Sequence, residues 1–171
     1  MISPIRSRLY IKQMSQTPSI RTRLVHQLIT FGALFQRPMT LGVRGLIIDK
    51  NDRVLLVKHT YVSGFYLPGG GVEAGETIFQ ALEREIYEEC AISLKSPPLL
   101  YSIYLNKKSS SRDHVALFVI RDFCDEGPRL PDKEISEVKY FPIDQLPNDA
   151  TPATQKRVNE VLNNSEVSPY W

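Results

Sequence analysis

A cluster of four glycines lies immediately before a segment with helical spacing and a defined helix start, and few folds accommodate that combination. The glycines fall within seven residues, at Gly69, Gly70, Gly71 and Gly75. Because glycine has no β-carbon, this backbone can take positive φ and can approach a bound ligand closely. Thr77 and Gln80 form a capping-box pattern, which sets where the following helix begins. The segment therefore predicts a ligand-facing loop before a helix, with an ordinary tight turn as the alternative interpretation.

The predicted helix, over residues 77–90, carries three acidic side chains on one face. At about 100° per residue, Glu85, Glu88 and Glu89 lie at relative angles of roughly 0°, 300° and 40°. Apolar residues of the earlier turns share that face, so the carboxylates are expected on the core side of the helix. Like charges at these spacings repel, and partial burial strengthens the repulsion. The pattern therefore requires a positive counter-charge.

Arg84 supplies part of that counter-charge, and a divalent cation is the simplest source of the rest. Arg84 can pair with Glu88 at i+4 and can reach Glu76, but one guanidinium leaves other carboxylates unpaired. Carboxylate oxygens are hard ligands that suit Mg²⁺ or Mn²⁺, and the chain has no cluster of His and Cys that would indicate zinc. A solvated acidic helix face is the alternative, which the apolar side of the helix disfavours.

These residues resemble the sequence box of the Nudix hydrolases. That box reads Gly, five residues, Glu, seven residues, Arg-Glu, an aliphatic residue, one residue, Glu-Glu, one residue, Gly and an aliphatic residue. The positions that match in register are Gly70, Glu76, Arg84, Glu85, Ile86, Glu88, Glu89 and Ile92. Ala91 departs from the family's last Gly. A Gly there would supply a left-handed helix cap, and Ala costs about 1 kcal/mol if that conformation is kept.

The resemblance implies a metal site and a reaction. It assigns Glu85, Glu88 and Glu89 to Mg²⁺ or Mn²⁺, with the Gly69 carbonyl as a backbone ligand. It also places Gly70 and Gly71 at the substrate and implies that Glu76 and Arg84 brace the loop and the helix. The implied activity is metal-dependent hydrolysis of a nucleoside diphosphate linked to another moiety, by attack of water at phosphorus. Phosphoryl transfer depends mainly on charge neutralisation and alignment, which metals and carboxylates provide.

A general base is expected from a loop before the last predicted strand. Glu134, in the segment 130–137, is the first candidate, because the segment resembles the family loop that often brings an extra acid to the metals. Glu137 and Glu89 are competing candidates. A solvated loop acid without a catalytic role is the alternative for both loop residues.

The spacing of apolar runs predicts an α/β fold. The resemblance makes this a Nudix-like α/β/α sandwich with a mixed β-sheet, in a catalytic domain over residues 38–171. Strands at 43–48 and 54–57 are predicted to form a β-hairpin around the turn 49–52. The other predicted elements are strands at 99–105, 115–120 and 138–141 and a helix at 151–162. The run 117–120 lacks alternation, so its strand is expected to be covered on both faces.

Residues 1–37 are predicted to form a basic, helical N-terminal extension. Residues 1–48 hold seven Lys or Arg and no acidic residue, whereas the remainder holds 14 basic and 19 acidic residues. Apolar residues from 20 to 35 recur at helical spacing. Packing on the domain is preferred, while a membrane surface, a homodimer contact or a transit peptide are the alternatives.

Composition also restricts partners and location. No apolar run approaches the roughly 20 residues that cross a bilayer. Cys90 and Cys124 lack metal-ligand spacing and fit a reducing compartment, which predicts a cytoplasmic protein. The expected partner is a small nucleoside diphosphate derivative, and nucleic acid is disfavoured except for a capped RNA end.

Two other function classes stay open. A Nudix-like ligand-binding or regulatory module without turnover would be consistent with Ala91 and with the unassigned base. A scaffold protein would predict that Glu88→Gln together with Glu89→Gln leaves metal affinity unchanged. The three metal-facing glutamates favour the enzyme.

Overall fold

The computed structural model describes residues 38–163 and 165–171, which form a mixed α/β fold. The predicted helical extension over residues 1–37 lies outside the described residues, and the domain boundary at 38 stays a prediction. The elements are β1 (Thr40–Ile47), β2 (Arg53–His59), α1 (Ile78–Cys90), β3 (Ile92–Leu94), β4 (Leu99–Leu105), β5 (Asp113–Ile120), β6 (Phe123–Asp125), β7 (Ile135–Pro142) and α2 (Pro152–Asn163).

The strands form one mixed sheet and two antiparallel pairs. β5 lies at the centre of the mixed sheet, parallel to β1 and antiparallel to β4. β2 pairs with β7, and β3 pairs with β6. This arrangement confirms the predicted α/β sandwich with a mixed sheet. In the parts of the chain that the structure describes, no helix is long and apolar enough to cross a membrane.

The predicted hairpin between the first two strands is wrong. β1 runs along β5 and β2 runs along β7, so only an isolated bridge between Ile48 and Val54 joins them. The turn itself forms, because the Asp49 carboxylate accepts from the backbone N–H groups of Asn51 and Arg53, each at 2.9 Å. Both strands bury side chains on both faces, so the apolar pattern predicts a strand but does not select its partner.

Two apolar clusters cover the opposite faces of β5. Phe118 packs in the cluster that includes Leu82 and Ile86 of α1, whereas Leu117 packs in the cluster that includes Val158 of α2. This confirms that the strand is covered on both faces. The layering holds α1 directly against the sheet, and so it determines where the acids of α1 point.

Capping interactions define where α1 begins and ends. The Gln80 N–H donates to the Thr77 hydroxyl at 3.2 Å, and the Thr77 N–H donates to the Gln80 side chain at 2.9 Å. This confirms the capping box. At the other end, Ala91 takes φ 55° and ψ 43°, and its N–H donates to the Tyr87 carbonyl at 2.9 Å. Ala91 therefore occupies the left-handed cap that favours Gly.

Ala91→Gly is expected to raise the free energy of unfolding by about 1 kcal/mol, because Gly carries no β-carbon penalty at this φ. Urea denaturation of the purified protein measures the change. Ala74→Gly is the matched control, since Ala74 is exposed and is not among the described residues with positive φ. A loss of stability at both positions would contradict the argument.

Candidate active site

The glycine-rich loop lies along β1. The Val43 N–H donates to the Gly70 carbonyl and the Gly45 N–H donates to the Pro68 carbonyl, both at 2.9 Å. Gly69 takes φ +133°, and a β-carbon there would collide with the Val43 carbonyl oxygen. The glycine is therefore needed for the loop to approach β1 this closely.

Glu89 is buried beneath this loop. Its Oε2 accepts from the Gly69 N–H at 2.7 Å, and its side chain is only 8% exposed. Burial raises the pKa of Glu89 to about 7, although the Gly69 N–H and the charge of Arg44 act in the opposite direction. The site thus contains a carboxylate whose ionised form lacks full compensation.

His59 lies beside Glu89 without a hydrogen bond to it. His59 Nε2 is 3.7 Å from Glu89 Oε1, which is too long for a hydrogen bond. Burial lowers the pKa of His59, and the charge of Arg44 acts in the same direction. His59 Nδ1 is buried and finds no hydrogen-bond partner among the described residues.

Arg84 ties the loop to α1. Its Nε and Nη2 donate to the two carboxylate oxygens of Glu76 at 2.8 and 3.0 Å, and Nη2 also donates to the Gly71 carbonyl at 3.1 Å. Its Nη1 donates to Glu85 at 2.7 Å and lies 3.4 Å from Glu88. The Arg84 hydrogen bonds lower the pKa of Glu76 to about 2. The contact between Glu76 and Arg84 has the bracing geometry that the sequence predicts.

The three acids of α1 differ in exposure. The side chains of Glu85 and Glu89 are 16% and 8% exposed, but that of Glu88 is 59% exposed. The expectation that all three lie on the core side is wrong for Glu88, which occupies the border of the face. Glu85 lies directly over Gly70, where a β-carbon would collide with its carboxylate.

The donor chemistry at this site fits a hard divalent cation. Glu85 and Glu88 share Arg84 Nη1, and the Gly69 carbonyl accepts from Arg44. Over residues 38–163 and 165–171, no three His, Cys, Asp or Glu side chains converge into a metal-binding group. Binding a cation would therefore require Glu85 and Glu88 to turn from Arg84, which would keep its paired contact with Glu76. The buried Glu89 carboxylate is the observation that fits a cation here.

Sequence reasoning missed Arg44 and His59. Arg44 Nη1 donates to the Leu67 carbonyl at 3.1 Å and also to that of Gly69, so this guanidinium shapes the loop. A lone Arg in the apolar run of β1 was the available signal. His59 ends β2, where the apolar run also ends, and only the fold brings it to Glu89.

Glu134 lies in the loop before β7, beside the end of β2. Glu134 is exposed in the loop before β7, and its carbonyl accepts from the Thr60 N–H at 2.9 Å. Burial raises the pKa of Glu89 and of Tyr61, and the charge of Glu134 acts in the same direction on both. Glu137 instead lies within β7, exposed and opposite Lys58.

Gly70→Ala is expected to weaken divalent-metal binding by about tenfold while costing at most about 1 kcal/mol of stability, because the new methyl group displaces the Glu85 carboxylate. Titration with Mn²⁺ followed by calorimetry, together with urea denaturation, measures both quantities. Gly71→Ala is the matched control, since a β-carbon there has no heavy atom within 4 Å. Equal Mn²⁺ affinity in the two variants would contradict this placement of Glu85.

A family model described as the NUDIX domain matches residues 38–161. The chain belongs to this family. The match confirms the resemblance of the Gly70–Ile92 box, and it includes both α1 and the loop that carries Glu134. The Nudix fold of the chain is also that of solved relatives. The MutT NUDIX hydrolase from Burkholderia pseudomallei superimposes with a TM-score of 0.62 at 25% identity, covering 71% of this chain and 97% of that one.

Two sequence relatives of this Nudix domain are named as hydrolases. An ADP-ribose pyrophosphatase of Methanocaldococcus jannaschii is 34% identical over 104 residues, covering 59% of this chain and 61% of that protein. An NAD-capped RNA hydrolase of Edwardsiella ictaluri is 31% identical over 103 residues, covering 58% of this chain and 38% of that protein. Each match spans less than two thirds of the relative's own length. The names support the predicted class, a hydrolase of phosphoric anhydride bonds.

Proposed function

We propose that this Nudix domain hydrolyses the pyrophosphate of a nucleoside diphosphate linked to another moiety. The observation that carries the proposal is the meeting of three acids at one loop. Glu89 lies under the Gly69 N–H, Glu85 lies over Gly70, and Glu88 shares with Glu85 the guanidinium of Arg84, which also holds the Gly71 carbonyl. A pyrophosphate needs a cation site beside an open backbone, and these acids and this loop fit that need.

The loop provides the substrate surface in this proposal. Gly71 is exposed, and the space beside its α-carbon is open, so a phosphate could approach the backbone there. Arg84 holds the Gly71 carbonyl and Glu76 together, which keeps the loop in one conformation. Gly70 and Gly71 are therefore proposed to contact the substrate, and Glu76 and Arg84 to brace it.

Glu134 is proposed as the general base. A water attacks one phosphorus and a Glu134 carboxylate oxygen accepts its proton. The bond from that phosphorus to the bridging oxygen breaks, and this oxygen leaves with its electron pair as part of the other phosphate product. Glu134 is exposed to solvent, whereas Glu89 lies beneath the Gly69 backbone and beside His59. Glu137 lies opposite Lys58 within a strand, which makes it the weaker candidate.

Glu85, Glu88 and Glu89 are proposed to hold Mg²⁺ or Mn²⁺. When bound, the cation would neutralise phosphate charge and lower the pKa of a bound water. The Gly69 carbonyl could join them only if Arg44 released it. His59 lies 3.7 Å from Glu89 on its buried side.

ADP-ribose is the first substrate to test, because one relative carries that name. A capped RNA end is the second, because another relative is named as an NAD-capped RNA hydrolase. Both contain a nucleoside diphosphate joined to a second group. A cytoplasmic location and a homodimer stay predictions.

The test is product release by the full chain with ADP-ribose, NAD-capped RNA, nucleoside triphosphates and sugar nucleotides, with Mg²⁺ or Mn²⁺ and with EDTA. We expect turnover that depends on the metal, and one ¹⁸O atom in a phosphate product when the reaction is run in labelled water. Glu85→Gln should lower kcat/KM by about 10²-fold or more. Glu83→Gln, an exposed acid of the same helix, should not.

Binding of a nucleotide without turnover of any substrate would instead select the regulatory module. Turnover that is equal in EDTA and in Mg²⁺ would contradict the metal assignment. Incorporation of ¹⁸O outside the phosphate products would contradict attack at phosphorus.

A further inference from the structure

The loop before β7 is held by hydrogen bonds at several backbone positions. The Thr60 N–H donates to the Glu134 carbonyl at 2.9 Å, and the Thr60 hydroxyl donates to the Lys133 carbonyl at 2.7 Å. The next residue, Ile135, is buried in the apolar cluster on the α1 side. One side of Glu134 is thus fastened to the end of β2 and to the core.

Asp132 fastens the other side of Glu134. Asp132 Oδ1 accepts from the N–H groups of Glu134 and Ile135, both at 2.8 Å. The Asp132 N–H in turn donates to the Ile135 carbonyl at 2.9 Å. Because both the N–H and the carbonyl of Glu134 are bonded, the direction in which its side chain leaves the backbone is restricted.

Arg129 connects this turn to α1. Its Nη2 pairs with Asp132 Oδ2, and its Nε donates at 2.9 Å to the carbonyl of Glu88. Its Nη1 also donates to the Leu130 carbonyl at 2.6 Å. The loop that carries Glu134 is therefore joined to the last turn of the helix that carries Glu85, Glu88 and Glu89.

We propose that Arg129 and Asp132 are positioning residues that hold the Glu134 carboxylate in register with the acids of α1. The inference rests on the proposed function and extends it to two residues outside the Nudix box. A displacement of about 1 Å in a reacting group can cost on the order of 10²-fold in rate, so a loop base needs such a connection.

The chain contains a matched control for this turn. Asp49 has the same local chemistry, since it accepts two backbone N–H groups and pairs with Arg53, and it lies in the turn between β1 and β2. Asp49→Ala therefore reports the effect of losing such a turn where no catalytic group is proposed.

The experiment is a double-mutant cycle on kcat for the best substrate, with Asp132→Ala, Glu134→Gln and the double variant. We expect Asp132→Ala to lower kcat by on the order of 10²-fold with KM changed less than about threefold. In the Glu134→Gln background it should lower kcat by less than about threefold, because the group that it positions is already absent. Asp132→Asn should restore part of kcat, since Asn keeps the oxygen that accepts from the Glu134 and Ile135 N–H groups but loses the carboxylate oxygen that pairs with Arg129. Asp49→Ala should leave kcat unchanged.

Equal effects of Asp132→Ala in the two backgrounds would overturn the proposal, and so would a full kcat for Asp132→Ala. A Glu134→Gln variant with full kcat would also overturn it, because no base would then be positioned. Absence of turnover by the wild-type chain would refute the proposed function and this inference together. If the wild type is active and the effects of Asp132→Ala and Glu134→Gln on kcat are additive, the inference alone is refuted.

Discussion

Replacement of Glu89 by Gln is expected to stabilise the metal-free protein while it removes turnover. Burial raises the pKa of Glu89 from 4.5 to about 7, so the folded state binds this proton more tightly than the unfolded state. The stability that this proton provides is fully present below about pH 4.5 and is lost as the pH rises through about 7. Above that pH the buried anion destabilises the fold, and a neutral Gln that still accepts from the Gly69 N–H does not.

The expected gain for Glu89→Gln is about 2 kcal/mol at pH 8 without metal, and close to zero at pH 4.5. Turnover should fall by on the order of 10³-fold, since charge stabilisation of several kcal/mol depends on the metal site. Urea denaturation at both pH values, in EDTA and in Mn²⁺, measures the stability, and Mn²⁺ should stabilise only the wild type. Glu83→Gln should show neither change. A loss of stability at pH 8 would show that the anion is compensated in the folded state.

Arg157→Ala is expected to cost about 3–5 kcal/mol, because it leaves a buried carboxylate without its cation. Arg157 is fully buried, and its Nη2 lies 2.8 Å from Glu160 Oε1. The guanidinium lies 4.1 Å from the ring centroid of Tyr104, whose hydroxyl donates to Glu160 Oε2 at 3.1 Å. Arg157 Nη1 also donates to the Tyr170 carbonyl at 3.2 Å, so the same group fastens the last residues of the chain.

Two variants separate the contribution of charge from that of packing to the free energy of unfolding. They are Arg157→Ala and the double variant Arg157→Met with Glu160→Gln, compared by their denaturation midpoints. The double variant should cost less than Arg157→Ala alone, since it removes both charges and keeps most of the volume. Arg53→Ala is the surface control, because Arg53 is 44% exposed, and it should cost no more than about 1 kcal/mol. A cost for Arg157→Ala that is as small as that of Arg53→Ala would contradict the buried pair.

The helix and its loop were predictable because their signals are local. The capping box of Thr77 and Gln80, the left-handed cap at Ala91 and the pair between Arg84 and Glu76 all form between residues within eight positions of each other. The hairpin prediction failed for the opposite reason. The strands on both sides of the turn at Asp49 bury apolar side chains on both faces, so the local pattern does not select their partner strands. Those partners, β5 and β7, lie far along the chain.

The amino-acid sequence alone determined the family, the glycine loop and the order of acids along α1, because these follow from spacing within a short segment. Tertiary structure decided what surrounds those acids. It buried Glu89 beneath Gly69, left Glu88 exposed, and brought Arg44 and His59 to the loop. The physical reason is that burial and charge depend on neighbours from distant strands, whose pairing no local pattern specifies.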